Sequence, residues 1–252
     1  MYGGDLIHQT SDNFGTIEVV DFQQNIRSLH FGNKTQQSAM LLANPFVLIH
    51  KYTQAMMLPL CWLKPRRVLV LGLGSGSIVK YLYNFFQDVS IDAVELRSEV
   101  ISIAREYFLL PDSSERLNIY HQSAQEWLAE HDSQEKYDLI IVDMFLTSIS
   151  GKDSAEDTSS YIDKIDSLLS NNGAAVFNHL GPDVFKNSAF NALSTLFCHQ
   201  LFTLNIERFN SILIASKATV PDEITDRELH DMQARYSLPY EQYFDLMHSV
   251  FE

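Results

Sequence analysis

Residues 67–76 read Arg67-Val68-Leu69-Val70-Leu71-Gly72-Leu73-Gly74-Ser75-Gly76. A buried-type apolar run passes straight into three glycines, a pattern that constrains the fold more than any other in the chain. Glycine lets backbone turn sharply into a helix and lie close to a ligand. Nineteen residues past Gly76, a second run, Val89-Ser90-Ile91-Asp92-Ala93-Val94, ends in Glu95. An acidic residue at the tip of the next strand can accept hydrogen bonds from two ribose hydroxyls. The third glycine follows the second by two residues, where the dinucleotide fingerprint wants three. The tighter spacing suits a single nucleoside with no pyrophosphate to wrap, so a nucleoside-bearing small molecule is the expected ligand. A tight turn beside an empty cleft is the alternative.

The rest of the chain extends this unit. Strands are expected at 67–72, 89–95, 118–121, 137–142, 173–178, 201–208 and 211–216. Helical spacing of apolar residues marks 77–86 and 98–108, the latter with Ser98 as a candidate N-cap, and a shorter helix is expected at 124–131. Alternation of this kind implies a mostly parallel sheet with helices on both faces. The last two strands are joined by Phe209-Asn210 alone, too short for a crossover, so they must form a hairpin with one strand antiparallel. Upstream, Thr16–Phe22 and Arg27–Phe31 read as strands and Gly32-Asn33-Lys34 as a turn, giving a small antiparallel β appendage. Residues 44–63, with Pro45 in a first helical turn, are expected to be a helix on the main sheet. The tail from 217 is expected to hold one or two surface helices capped by Asp222 or Thr225. The division expected is 1–64 for the appendage and linking helix, and 65–252 for the nucleoside-binding domain.

Bulk properties narrow the function classes. The formal net charge is −14, from 18 basic and 32 acidic residues. That argues against duplex nucleic acid, whose phosphates need basic surface. No run of eighteen apolar residues offers a membrane span, and the opening Met1-Tyr2-Gly3-Gly4-Asp5 has no signal-peptide pattern. Cys61 and Cys198 sit in apolar contexts and read as buried reduced thiols. A cytoplasmic protein with neither nucleic-acid nor membrane partner is the expectation. No spacing of His, Cys or acidic residues suggests a metal.

On these residues the chain resembles the class I S-adenosylmethionine-dependent methyltransferase fold, and within it the spermidine synthase-like group of polyamine aminopropyltransferases. The resemblance covers roughly 16–216: a β appendage, Val68-Leu69-Val70-Leu71-Gly72-x-Gly74-x-Gly76, and a terminal hairpin ending Ile212-Leu213-Ile214-Ala215-Ser216-Lys217. It implies an α/β, Rossmann-like, seven-stranded doubly wound sheet. It further implies a sulfonium nucleoside as group donor, either decarboxylated S-adenosylmethionine or S-adenosylmethionine, and no metal. The donor-binding positions it implies are Gly72, Gly74, Ser75 and Gly76 in the loop, then Glu95 with Leu96 for the ribose. Ser123-Ala124 falls where the family has Asp-Ala against adenine, with Gln122 or Gln125 as other options and a helix cap as the bland reading of Ser123. Gln36 or Gln37 matches a glutamine on the nucleoside side.

Asp143 closes the strand Asp138–Val142, at the family's catalytic aspartate. A carboxylate there can take a proton from an attacking amine or hold a cationic one. Tyr52 matches the tyrosine of the family's Tyr-His-Glu and is the second substrate-side residue. The family's Asp-x-x-Asp-Pro reads Asp143-Met144-Phe145-Leu146-Thr147 here, and Tyr-His-Glu reads Tyr52-Thr53-Gln54. The donor half is thus retained and the acceptor half altered. The expected acceptor is a small molecule, with an amine as one candidate and plain putrescine disfavoured. The polar segment 146–160 reads equally as a substrate lid or a solvated loop. A small-molecule methyltransferase and a non-catalytic nucleoside-binding protein remain alternatives, and a homodimer is one option for assembly.

Overall fold

The computed structural model describes residues 3–131, 135–144, 155–180, 188–198, 200–206 and 210–251, with the side chains of 155–157 and 188 excepted. Leu146 and Thr147, and with them most of the 146–160 segment, lie outside the described residues.

Four antiparallel strands come first: β1 (Asp5–Asp12), β2 (Gly15–Phe22), β3 (Ile26–His30) and β4 (Gln36–Leu41), ordered β1-β2-β3-β4. The sequence reading found the middle pair. It missed β1, whose mostly exposed face lacks apolar alternation, and β4, which is polar at its start. Ile17, Val19, Leu29 and Met40 form the inner face of this sheet and pack on Val100, Ile103 and Phe108 of a main-domain helix. Leucine- and valine-sized side chains buried this way each stabilise by about 1.5–3 kcal/mol.

The expected single helix over 44–63 is instead α1 (Lys51–Met56) followed by a 3₁₀ turn at Leu58–Cys61. Pro59 is the physical reason. It has no N–H to donate into an α-helical turn, and proline disfavours continued α geometry at the residue before it.

The main sheet is ordered β12-β10-β11-β9-β8-β5-β6-β7. Its strands are β5 (Arg67–Leu71), β6 (Ser90–Glu95), β7 (Leu117–His121), β8 (Tyr137–Val142), β9 (Leu169–Leu180), β10 (Leu201–Ile206), β11 (Asn210–Ser216) and the short β12 (His248–Ser249). Strands β5 to β9 run parallel, and β11 is antiparallel to both β9 and β10. The doubly wound α/β class is as expected, with β12 adding an eighth strand to the seven. Strand β12 comes from the tail, where two residues carry too little pattern to be read.

One face of the sheet is covered by α1, α2 (Ser77–Phe85) and the tail helices α7 (Asp226–Tyr236) and α8 (Tyr240–Asp245). The other face is covered by α4 (Ala124–Glu130), α5 (Ala155–Leu168) and α6 (Ser188–Leu196). Helix α3 (Ser98–Phe108) carries the N-terminal sheet, and Ser98 is its first residue, with Arg97 at the N-cap. Thr225 does cap α7, in a full capping box with Glu228. The tail is more than surface, since Leu229, Leu238, Tyr240 and Tyr243 are buried. Cys61 is half-buried and Cys198 exposed, so the expectation of two buried thiols fails for Cys198. His179 is buried in β9. No described helix is long and apolar enough to cross a membrane.

Candidate active site

The strand order reverses between β5 and β8: from β5 the chain proceeds to β6 and β7 on one side, then to β8 and β9 on the other. Ligands of open α/β sheets bind at the carboxyl ends of strands flanking such a reversal. Here those ends carry Gly72 after β5, Glu95 on β6, Asp143 after β8 and Asn178 on β9. All four line one cavity of about 710 Å³.

Gly72 shows why the loop needs glycine. Its φ is +94°, and a Cβ there would lie 2.5 Å from the Asp143 carbonyl oxygen. The loop and the Asp143 backbone therefore sit edge to edge across the switch point. Glu95 is oriented by main chain. The Leu73 N–H donates to its Oε2 at 3.0 Å, and the Arg97 N–H donates to Oε1 at 2.9 Å. A carboxylate has about four lone-pair sites, so acceptor capacity remains for two hydroxyls.

At the other end, the Asp143 carboxylate accepts from Asn178 Nδ2 at 3.0 Å and from the Tyr52 hydroxyl. Asn178 Oδ1 accepts in turn from Asn210 Nδ2 at 2.8 Å. Burial pushes the Asp143 carboxyl up to about 6, against the pull of its hydrogen bonds from Asn178 and Tyr52. Burial, followed by the neighbouring carboxylate and their hydrogen bond, holds the Tyr52 phenol well above its ordinary value, so it stays a donor. His50 stacks on Tyr52 with ring centroids 5.8 Å apart, and its Nε2 is buried without a hydrogen-bond partner. Burial lowers the His50 pKa and favours neutral imidazole. A carboxyl near 6 is largely ionised at neutral pH yet basic enough to take up a proton there, as a general base requires.

Of the positions singled out in the sequence, Gln37, Tyr52, Gly72, Gly74, Glu95, Leu96, Ala124 and Asp143 meet at this cavity. Ser75, Gly76 and Ser123 do not line it, nor do the adenine-side options Gln122 and Gln125. The Ser75 hydroxyl is buried and lies 3.0 Å from that of Ser77. Gly76 is the left-handed N-cap of α2, where a Cβ would strike Leu110. Ser123 caps α4, accepting from the Glu126 N–H and donating to its carboxylate. These three shape the loop and helix starts rather than the cavity wall.

The residues at the altered family positions are also occupied elsewhere. Thr53 is buried and donates to the His50 carbonyl. Gln54 donates to the Leu48 carbonyl and accepts from the Tyr243 hydroxyl at 2.8 Å. The reading of the sequence missed Asn178, Asn210, His50 and Phe31 as cavity residues. Asn178 had a signal: a polar residue at the carboxyl end of an otherwise apolar strand, like Asp143. Among the described residues lining the cavity, Glu95 and Asp143 are the only charged side chains, and neither Lys nor Arg is present. Among the described residues, no group of three His, Cys, Asp or Glu side chains could hold a metal ion.

The chain is similar over 224 residues to the polyamine aminopropyltransferase of Chromobacterium violaceum, at 27% identity, covering 87% of this chain and 84% of that one. Its fold is shared with a probable spermidine synthase from Corynebacterium glutamicum, at a TM-score of 0.72 and 17% identity, over 92% of this chain and 86% of the other. Human methyltransferase-like protein 13, solved with SAH, also shares the fold, at a TM-score of 0.60 and 22% identity over 78% of this chain and 93% of that one. The sequence model of the spermine/spermidine synthase domain matches residues 49–206, more than half of the chain and the whole span from α1 through β10. The protein accordingly belongs to the spermine/spermidine synthase domain family and is a transferase on a methyltransferase-like fold.

Proposed function

We propose that the protein transfers an aminopropyl group from decarboxylated S-adenosylmethionine to an amine. The observation that carries this reading is the charge of the cavity. Two carboxylates line it, Glu95 and Asp143, with no Lys or Arg on the described wall. A donor bearing a methionine carboxylate would bury that charge with no cation opposite it, at a cost of several kcal/mol. A donor without it carries only positive charge, complementary to the site.

The chemistry needs little from the protein. The amine lone pair attacks the carbon attached to the sulfonium, a C–N bond forms, and the C–S bond breaks. Its electron pair stays on sulfur, leaving a neutral thioether, methylthioadenosine. The new ammonium gives up a proton, and Asp143 is the group that takes it and passes it to solvent. Before attack, ionised Asp143 holds the amine beside the carboxyl end of β8. Alignment of this kind accounts for much of the barrier reduction in displacement reactions. Glu95 takes the ribose, and Gly72, Gly74, Leu96, Ala124 and Gln37 enclose the rest of the nucleoside.

The acceptor is proposed to be an amine other than plain putrescine. Thr53 and Gln54 are spent on internal hydrogen bonds, so they supply no charge for a second ammonium. Calorimetry with four nucleosides tests the donor assignment. Decarboxylated S-adenosylmethionine and methylthioadenosine are expected to bind more tightly than S-adenosylmethionine and S-adenosylhomocysteine. The reverse order would favour a methyltransferase instead.

A further inference from the structure

Asn210 opens β11 and stands diagonally across from Asn178 on β9. In the antiparallel register Asn210 pairs with Leu180 and Ile212 pairs with Asn178, so the two asparagines lie on the same face two residues apart. Their amides are joined head to tail. Asn210 Nδ2 donates to Asn178 Oδ1 at 2.8 Å, and Asn178 Nδ2 donates to Asp143 Oδ1 at 3.0 Å. Asn178 is buried, at 6% exposure, so its amide has little water to turn toward.

A buried amide has two ends of opposite polarity, and the partner at one end decides what the other end offers. With Asn210 donating to its oxygen, Asn178 can present only N–H to Asp143. We propose that Asn210 is a positioning residue that acts through Asn178, fixing the amide so that Asp143 is held as a hydrogen-bond acceptor aimed at the incoming amine. The proposal rests on the aminopropyl-transfer reading for its consequence in catalysis, but not for its geometry. Among the described residues, the Tyr52 hydroxyl from α1 also faces the Asp143 carboxylate, and Gly72 abuts its backbone carbonyl. Glu95 and the neutral His50 share the cavity. Among the described lining residues no cation competes with Asn178 for the carboxylate.

The consequence is specific. A donor facing the carboxylate favours the ionised form, so losing it should move the Asp143 titration to higher pH. The test is a titration of the protein carrying ¹³C-labelled aspartate carboxyls, with Asp143→Asn identifying the Asp143 signal. It needs no turnover, so it stands even if no amine is consumed. Asn178→Leu, Asn210→Ala and the double variant are compared with wild type. Each single variant should raise the midpoint by about half a pH unit or more. The double variant should match Asn178→Leu alone, because among the described residues the hydrogen bond from Asn210 reaches Asp143 through Asn178. If Asn210→Ala does not fold, Asn210→Asp replaces it. An acceptor at 210 turns the Asn178 amide around and should raise the midpoint further in the Asn178 background than in Asn178→Leu.

With decarboxylated S-adenosylmethionine and an accepted amine, the acid limb of kcat/KM should move by the same amount. A merely structural asparagine would lower the rate equally at every pH. An unchanged Asp143 midpoint in Asn210→Ala, or shifts that add in the double variant, would overturn the proposal. Wild type that binds no adenosyl compound would overturn the functional reading and leave the titration result standing by itself.

Discussion

Two carboxylates line this cavity, and their surroundings set them apart. Glu95 is held by two backbone N–H groups at a strand tip, and Asp143 is half-buried between an amide and a phenol. Glu95→Ala should weaken methylthioadenosine binding by about 1.5–3 kcal/mol for each good charged hydrogen bond lost, read by calorimetry. Retained affinity would place the ribose elsewhere. Asp143→Asn should leave nucleoside binding intact and lower kcat by about 10²–10⁴-fold. The same substitution has a stability signature. The folded Asp143 carboxyl titrates near 6 against an ordinary 3.8, so between those values the folded state holds a proton that the unfolded chain has released. Its contribution therefore falls as pH rises from about 4 to about 6, and the ionised form burdens the fold above that. The melting temperature of wild type should drop relative to Asp143→Asn across this window. A difference independent of pH would contradict the buried setting of Asp143. Both acids were legible in the sequence because each ends an apolar strand at the sheet edge where ligands bind. The Asn178–Asn210 bridge was not, because it depends on the register of two strands whose partners lie 32 residues apart.

At the scale of elements, the strands and helices around the glycine loop were legible to within a residue or two. Hydrophobic period and turn chemistry agree there, and tertiary contacts only reinforce them. The region from 44 to 63 was not legible, because Pro59 breaks a run whose apolar content reads as continuous helix. Gln54 shows a second limit. Family position alone suggests an acceptor-side residue, yet its side chain is bound by Tyr243, 189 residues away. Tyr243→Phe should therefore loosen α1 and raise the KM for the amine more than that for the donor. Equal changes in both would show that α8 acts on the cavity as a whole. The tail helix itself depends on its cap. Thr225→Ala removes the hydroxyl that accepts from the Glu228 N–H, while the backbone N–H at 225 still donates to the Glu228 carboxylate, and should cost about 0.5–2 kcal/mol in a denaturant titration.

Across the whole molecule, the N-terminal sheet is a wall of the cavity, with Phe31, Thr35, Gln36, Gln37 and Ser38 on it. Arg97 ties that wall to the donor loop. Its guanidinium donates to both oxygens of Asp12 at 2.9 and 2.8 Å and to the Gly15 carbonyl, and lies 4.5 Å from the Phe31 ring centroid. The same residue's N–H orients Glu95. Asp12→Asn should accordingly weaken methylthioadenosine binding several-fold while the main sheet stays folded, as circular dichroism and calorimetry together would show. This coupling was invisible in the sequence, since β1 has no apolar pattern and its partner stands 85 residues on. What the sequence did carry was the doubly wound architecture, because each of its strand–helix units is locally self-consistent. The central claim, transfer of an aminopropyl group by this cavity, is tested most directly by product analysis. Purified protein is incubated with decarboxylated S-adenosylmethionine and a panel of amines that includes putrescine, and in parallel with S-adenosylmethionine and the same amines. Methylthioadenosine is expected in equal amount to an aminopropylated amine, with putrescine among the poorer acceptors. S-adenosylhomocysteine and a methylated product from the parallel reaction, with no methylthioadenosine from the first, would contradict it.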